Sequence, residues 1–190
     1  MRDFLNATLG APAHPNLHKS LALRSGSPGQ ALDLGCGAGR DSLLLLAEGW
    51  TVTALDRDAK ALAILRQQAT YYPADKLAIL CRTFEEVSPL PAVEFVNASF
   101  ALPFCQPAQF HDLWRRISES VGQGGWFTGH FFGPQDDWAT RGCTIHSRDQ
   151  VLALFDGWTI IDLCEFEHDG KTAVGNFKHW HIFEVVAQRN

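Results

Sequence analysis

The sequence predicts an α/β fold, in which an open sheet of seven strands lies between two layers of helices as a three-layer sandwich. Short β-rich runs alternate with helical patterns from residue 31 to residue 132, which is typical of parallel strands connected by helices. Two further β-rich runs, 159–166 and 177–186, are separated only by a loop, and the alternation in the last one suits an antiparallel edge. A chain of 190 residues is expected to form one domain, 1–190.

The first strand, turn and helix have the pattern of a cradle for a nucleotide-like cofactor. An apolar run at 31–34 contains Asp33, and glycines follow at positions 35, 37 and 39 before a helical pattern at about 41–49. Glycine has no Cβ, so a ligand can approach the backbone closely, and the start of the helix offers unpaired N–H groups. Such units hold cofactors at the carboxyl edge of open α/β sheets.

A second acidic residue lies at the end of the next strand. Asp56 ends the β-rich run 51–55, about 20 residues after the first glycine, as expected of a carboxylate that binds ribose hydroxyls. The glycine pattern is G-x-G-x-G, because Arg40 stands where a dinucleotide fingerprint requires Gly or Ala, and the Lys-Ser/Thr pair of a P-loop is missing. The alternative interpretation is an ordinary βαβ turn in which Asp56 only caps the next helix.

Residues 31–58 resemble motif I and the acidic second motif of the class I S-adenosylmethionine-dependent methyltransferases. The resemblance extends from about residue 30 to the end of the chain and is nearest to small bacterial methyltransferases of the tellurite-resistance type. It implies a Rossmann-like fold with strand order 3-2-1-4-5-7-6 and strand 7 antiparallel. It also implies in-line methyl transfer to a small molecule, with S-adenosylmethionine as cofactor and S-adenosylhomocysteine as product.

The resemblance also assigns the residues that bind the cofactor. They are Asp33, Gly35, Cys36, Gly37, Gly39, Asp56, Arg57, Thr83, Phe84, Asn97 and Ser99. The glycine turn would surround the methionine part, Asp56 would hold the ribose, and Arg57 and Phe84 would flank the adenine. Asn97 and Ser99 would face the methionine part or the substrate, whereas ordinary core packing explains Phe84 equally well. The sequence 97–100 lacks the two prolines found in many enzymes that methylate amino nitrogens, which argues against that chemistry.

The remaining elements follow from periodicity and turn residues. The predicted helices cover 58–71, 107–121 and 148–155, with Ser147 as the cap of the last; the predicted strands cover 77–81, 92–99 and 126–132; turns or loops are predicted at 122–125, 133–142 and 167–171. Residues 1–29 contain a short helical pattern beginning near Pro15 or Asn16 and a turn cluster at 25–29. This segment is either a lid over the cofactor or a surface flap.

The acceptor side of the sheet is predicted to be apolar and aromatic. Phe100, Phe104, Phe132 and Trp138 would line the mouth of the site, which suits a small, partly apolar substrate or a soft nucleophile. Candidate ionisable groups at the mouth are His130, Asp136, Asp137, His146 and His179. None is spaced like a dyad or triad, so the catalytic residue stays unknown, and the favoured interpretation of each is a solvated loop residue or a hydrogen-bonded strand histidine.

Composition excludes several other classes of protein. The net charge of −5 without a Lys/Arg block argues against a broad nucleic-acid surface, and no apolar stretch approaches the length of a membrane span. Five scattered cysteines without a CxxC pair indicate free thiols in a reducing, cytoplasmic setting, and no signal peptide is expected. Eight histidines include His179 and His181 on one strand face, but without a matched second pair no metal is expected.

Three functional hypotheses remain open at this point. The first is a small-molecule methyltransferase, acting as a monomer or homodimer. The second is an NAD-linked oxidoreductase, against which Arg40 argues. The third is a non-catalytic protein that binds S-adenosylmethionine, since binding and catalysis use different groups.

Overall fold

In the computed structural model, which describes the backbone of residues 2–190 and the side chains of residues 5–190, seven strands form one sheet. The strands are β1 (Gln30–Leu34), β2 (Thr51–Asp56), β3 (Leu77–Cys81), β4 (Val93–Ala98), β5 (Val121–Phe132), β6 (Trp158–Lys171) and β7 (Phe177–Arg189). Their order is β3-β2-β1-β4-β5-β7-β6; the first five are parallel, and β7 is antiparallel to both of its neighbours. The predicted topology is confirmed.

The helices form two layers, one on each face of the sheet. They are α1 (Arg2–Thr8), α2 (Pro15–Leu23), α3 (Arg40–Ala47), α4 (Ala59–Gln68), α5 (Pro107–Ser120) and α6 (Arg148–Leu154). Leu17 of α2, Leu45 of α3 and Leu65 of α4 are fully buried in one apolar cluster. Leu113 of α5 and Val151 of α6 belong to the cluster on the other face. The sheet is therefore covered on both sides, as a parallel sheet requires.

Local capping explains where the predicted helices begin. The Asp58 carboxylate accepts a hydrogen bond from Lys60 N at 2.9 Å, which starts α4. Ser147 and Gln150 form a capping box at the start of α6, so the predicted cap is confirmed. Within residues 2–190, no helix has the length and apolarity to cross a membrane.

Three parts of the chain differ from the predicted elements. Residues 122–125, predicted as a turn, belong to β5, where the pairing with β4 shifts register between Val93 and Phe95. Residues 167–171, predicted as a loop, belong to β6, because the hairpin pairs with β7 as far as Lys171 opposite Phe177. Backbone pairing with β7 thus outweighs the polar loop composition of 167–171. Helix α1 was not predicted, whereas α2 begins at Pro15 as expected.

Candidate active site

The glycine turn after β1 leaves one position open to a ligand. Gly35, Gly37 and Gly39 all have positive φ angles, of 67°, 55° and 90°. A Cβ at Gly35 would lie 2.6 Å from the Ala101 side chain, and one at Gly39 would lie 2.3 Å from Leu65. At Gly37, by contrast, no described atom outside its two chain neighbours lies within 4 Å of that position. The first and third glycines therefore serve packing, and the second is free for a cofactor to approach.

Asp56 at the end of β2 is tied to this turn. Its Oδ2 accepts a hydrogen bond from Gly37 N at 2.8 Å, and its Oδ1 accepts one from Asp58 N at 2.8 Å. A carboxylate has about four lone-pair sites, so each oxygen retains an acceptor position. The alternative interpretation of Asp56 as a helix cap is not supported, since Asp58 caps α4.

A buried acidic network lies beneath the turn. Asn97 Nδ2 on β4 donates to Asp33 Oδ1 at 2.8 Å and to Asp41 Oδ2 at 3.1 Å. Ser42 Oγ donates to the other oxygen of Asp33, and Ser99 Oγ donates to Asn97 Oδ1 at 3.1 Å. Asn97 thus joins the acid of β1 to the first turn of α3. The sequence identified Asp33, Asn97 and Ser99, but it treated Asp41 only as the start of a helix.

The Asp41 carboxylate perturbs the pKa of Asp33 in this network. Burial, and then the charge of Asp41, raise the pKa of the Asp33 carboxyl to about 7, although bonds from Ser42 and Asn97 oppose the shift. Burial also raises the pKa of the neighbouring Cys36 thiol, so this cysteine is held as a thiol. A positively charged ligand group placed beside Asp33 would favour the ionised carboxylate.

The segment after β3 lies beside the same turn. Phe84 is half-buried, and its ring approaches to 3.7 Å of the position that a Cβ on Gly35 would occupy. The buried guanidinium of Arg116 on α5 holds this segment, because Nη2 donates to Phe84 O at 3.0 Å and Nη1 donates to Val87 O. Phe84 therefore packs against the core and also borders the turn. Thr83 is half-buried and bonded through its N–H to Glu86.

The Arg57 side chain is exposed, and its carbonyl accepts a weak bond from Cys81 Sγ. The glycine turn follows β1, Asp56 ends β2, and Asn97 and Ser99 lie at the end of β4. The structure therefore gathers the glycine turn, Asp56, Asn97 and Ser99 at one edge of the sheet.

An aromatic wall borders the acceptor side of this edge. Phe132 contacts Phe104 at 6.0 Å and Trp138 at 5.8 Å between ring centroids, and Phe100 lies 6.3 Å from Phe132. Trp180 on β7 completes the wall, 6.0 Å from Phe100 and 5.5 Å from Trp138. The other four residues were predicted from the sequence, but Trp180 was not. Its position depends on the β6–β7 hairpin, which extends past the end of β5.

Phe100 carries backbone strain at this point. Its φ angle of 51° is unusual for a non-glycine residue, and this left-handed conformation costs on the order of 1–2 kcal/mol. Its N–H donates to His130 Nδ1 at 3.3 Å, and its ring stacks on the His130 ring at 4.2 Å and 9°. His130, a predicted mouth residue, is therefore at the site and holds Phe100 in position.

The other ionisable candidates have structural partners. Asp136 is buried and pairs with the Lys178 ammonium, while Asp137 is exposed and accepts a bond from His179 N. His179 itself lies among the exposed acids of the hairpin, and Asp169 raises its pKa. His146 is not at the mouth; its ring packs against Phe110 and Phe131 on the opposite face of the sheet. The expectation for His146 is wrong because Ile145 forms a bridge with Phe132 and the His146 side chain is buried in the core.

The N-terminal segment reaches the site through one residue. His14 N donates to Asp41 Oδ1 at 2.9 Å, and the His14 ring lies edge-on to His130 at 4.3 Å and to Phe100 at 5.3 Å. Behind it, α2 packs on β5 and β7, and Asn16 Nδ2 donates to Val185 O at 3.3 Å. Nothing in the sequence spacing marked His14 as a site residue.

Ligand-type atoms of His14, His130 and Glu184 lie within 4.8 Å of one another. A metal-binding imidazole usually donates a hydrogen bond through its second nitrogen. Here both Nδ1 atoms accept backbone N–H groups, from Asn16 at 3.2 Å and from Phe100 at 3.3 Å. Each neutral ring therefore carries its proton on Nε2, which is the wrong arrangement for binding a metal there.

The sequence of residues 10–129, more than half of the chain, matches the family model described as tellurite resistance protein TehB. Among curated proteins, none matches significantly in sequence.

Solved methyltransferase structures resemble this fold closely. TehB from Haemophilus influenzae superposes with a TM-score of 0.81 at 16% identity, over 93% of this chain and 62% of that one, so this chain spans less than two thirds of its length. The N-methyltransferase NodS from Bradyrhizobium japonicum, in complex with S-adenosyl-L-homocysteine, gives 0.70 at 15% identity, over 91% and 85%. A 1,6-didemethyltoxoflavin-N1-methyltransferase from Burkholderia thailandensis gives 0.69 at 17% identity, over 93% and 79%. The shared fold is that of the class I methyltransferases.

Proposed function

Because this chain belongs to the tellurite resistance protein TehB family, we propose that it transfers the methyl group of S-adenosylmethionine to a small molecule. The observation that carries the proposal is the open approach to Gly37 beside the Asp56 carboxylate. A Cβ at Gly37 would meet only space that the cofactor would fill, and the free acceptor positions of Asp56 suit two ribose hydroxyls.

The other predicted cofactor residues fit the same group. The raised pKa of Asp33 indicates a carboxylate that gains from a nearby cation, which the ammonium of the methionine part would supply. Phe84 would provide an apolar face for the adenine, and Arg116 would hold that face in place by its bonds to the segment 84–87. Cys36, Gly35 and Gly39 would shape the turn, and Arg57 and Thr83 would border the adenine from outside.

The methyl group arrives activated, since its sulfonium carbon is electrophilic and the leaving thioether is neutral. The chain therefore has to align the acceptor and exclude water. The aromatic wall of Phe100, Phe104, Phe132, Trp138 and Trp180 would do both for a small molecule. Its apolar surface supports a small acceptor rather than a nucleic acid or protein.

Calorimetry tests the cofactor, and turnover tests the reaction. The full chain should bind S-adenosylhomocysteine and show no affinity for NAD. It should then release S-adenosylhomocysteine when supplied with S-adenosylmethionine and an acceptor from a small-molecule panel. Binding of NAD alone would replace the proposal with the oxidoreductase, and tight cofactor binding without turnover on any acceptor would favour the non-catalytic alternative.

A further inference from the structure

One carboxylate on the acceptor side is not explained by cofactor binding. Glu184 on β7 lies directly opposite His130 on β5, so both side chains lie on the same face of the sheet. Its Oε1 is 3.4 Å from His130 Nε2, and its side chain is 22% exposed while that of His130 is fully buried. His130 Nε2 is buried and forms no hydrogen bond with any described residue, so Glu184 is near it without accepting a bond of good geometry. In the His130–Glu184 pair, the glutamate is therefore partly accessible to solvent, whereas the histidine is buried.

The proton positions around this carboxylate are fixed by backbone hydrogen bonds. His14 and His130 both accept a backbone N–H at Nδ1, so each neutral ring carries its proton on Nε2. Burial lowers the pKa of both imidazoles, that of His14 to about 4, so both rings are neutral. The proximity of the His130 imidazole lowers the pKa of Glu184, which keeps the carboxylate ionised.

The neighbouring cations do not neutralise Glu184. Arg40 Nε lies 3.4 Å from Asp41 Oδ1, and the Lys19 ammonium is paired with Asp162. Each of these cations therefore has its own carboxylate. With neutral imidazoles beside it, Glu184 forms no ion pair with a Lys or Arg side chain of residues 5–190, although the charge of Lys19 also lowers its pKa.

His130 connects Glu184 to the aromatic wall. The Phe100 ring stacks on His130, and Trp180 meets Phe100 edge-on at 6.0 Å. A carboxylate beside π faces favours a cationic or partly positive group and disfavours an anion. The Lys178 ammonium lies over the Trp180 ring but is paired with Asp136, as Lys19 is with Asp162 and Arg40 with Asp41. None of these three cations is therefore unpaired and available to an oxyanion.

We propose that Glu184 binds the nitrogen of an amine acceptor, so that the substrate class is amines rather than chalcogen oxyanions. This inference rests on the proposed methyl transfer and names its acceptor. It departs from the expectation based on the missing prolines at 97–100, because here the anchor for the amine comes from β7 and not from that loop.

In the proposed reaction, no group of the protein has to accept a proton. The amine binds as an ammonium, loses one proton to solvent, and its lone pair forms the N–C bond as the C–S bond breaks. The positive charge thereby moves from sulfur to nitrogen, and Glu184 stabilises it there. The methylated ammonium then leaves with the thioether as the second product. His130 and His14 act through Glu184 and are positioning residues.

The test measures binding to the full chain saturated with S-adenosylhomocysteine, by calorimetry, with phenethylamine, phenethyl alcohol and selenite as probes. The amine should bind at least about tenfold more tightly than its alcohol, and selenite should not bind. Glu184→Gln should abolish the amine preference, and Glu184→Asp should retain part of it. Glu167→Gln, on the exposed part of the same hairpin, is the matched control and should leave the preference unchanged.

The outcomes separate this inference from the proposed function. If S-adenosylhomocysteine fails to bind, the methyltransferase proposal itself fails. If it binds normally but the amine has no advantage over its alcohol, or selenite binds more tightly, only the amine inference is overturned. The amine inference is also overturned if Glu184→Gln and Glu167→Gln reduce the preference for the amine over its alcohol equally.

Discussion

The backbone N–H of Gly37 donates to the Oδ2 atom of Asp56 at 2.8 Å. The glycine turn after β1 and the acid that ends β2 therefore form one bonded unit, although 19 positions separate them in sequence. This bond holds open the approach to Gly37 and at the same time orients the carboxylate. Cofactor binding and the shape of the turn should consequently depend on the same side chain.

Replacing Asp56 by Ala should weaken the binding of S-adenosylhomocysteine by roughly 10- to 150-fold. Loss of one hydrogen bond to a charged group costs about 1.5–3 kcal/mol, and the bond that holds the turn is lost as well. Calorimetry measures the change, with the exposed Asp75→Ala as control. Equal affinities of the Asp56 variant and the original chain would show that the ribose lies elsewhere.

Replacing Gly37 by Ala should mainly affect cofactor binding, whereas replacing Gly39 by Ala should mainly affect the stability of the fold. Gly37→Ala meets no described atom outside its two chain neighbours, so it should lose cofactor binding at a folding cost of about 1–2 kcal/mol for its positive φ. Gly39→Ala places a methyl group 2.3 Å from Leu65 and should destabilise the fold itself. Thermal unfolding and calorimetry distinguish the two. Normal cofactor affinity in Gly37→Ala would rule out close approach at this position.

The raised pKa of Asp33 should appear in the pH dependence of stability. Between the unfolded carboxyl pKa near 4 and the folded value of about 7, the native state retains a proton that the unfolded state has lost. The protonated Asp33 carboxyl thus stabilises the fold fully below about pH 4, and this stabilisation is lost as the pH rises to about 7. Over that range the free energy of unfolding falls by up to roughly 1.4 kcal/mol per pH unit. Urea unfolding of Asp33→Asn from pH 4 to 8 should lack this slope. A parallel decline in both proteins would assign it to other groups.

The fold could be predicted from sequence because its signals are local and repeated. Each of the first five strands is a short apolar run followed by a turn or helix signal, and helix caps such as Ser147 mark the boundaries. Asp33, the glycines and Asp56 were recognisable because the strand–turn–helix unit fixes their spacing.

The acceptor side could not be predicted in the same way. Glu184 reaches the site only because β7 pairs antiparallel with β5, and His14 only because α2 packs across that pair. Trp180 depends on the length of a hairpin whose polar residues 167–171 resemble a loop. These contacts join distant parts of the chain, and no local spacing encodes them.

The Asp136–Lys178 pair should be a main support of the aromatic wall. Asp136 Oδ1 also accepts from Trp138 N at 2.9 Å, and the ammonium lies 3.8 Å from the Trp180 ring. Asp136→Asn leaves a buried ammonium without its carboxylate, which should cost about 3–5 kcal/mol.

Urea unfolding measures that loss, with the exposed Asp137→Asn as control. The double variant Asp136→Asn/Lys178→Met removes the unpaired charge and should be more stable than Asp136→Asn alone. A single variant as stable as the control would mean that the pair does not support the wall.

The N-terminal segment is proposed to act as the lid of the site, and His14→Ala tests this role. The ring of His14 covers His130 and Phe100, while its backbone N–H, which bonds to Asp41, is retained in the variant. Turnover should fall because solvent reaches the acceptor side, whereas S-adenosylhomocysteine affinity should change much less. His18→Ala on the exposed side of α2 is the matched control. If His14→Ala lowers cofactor affinity as much as turnover, the segment contributes to cofactor binding and not to closure; if neither changes, it is a surface flap.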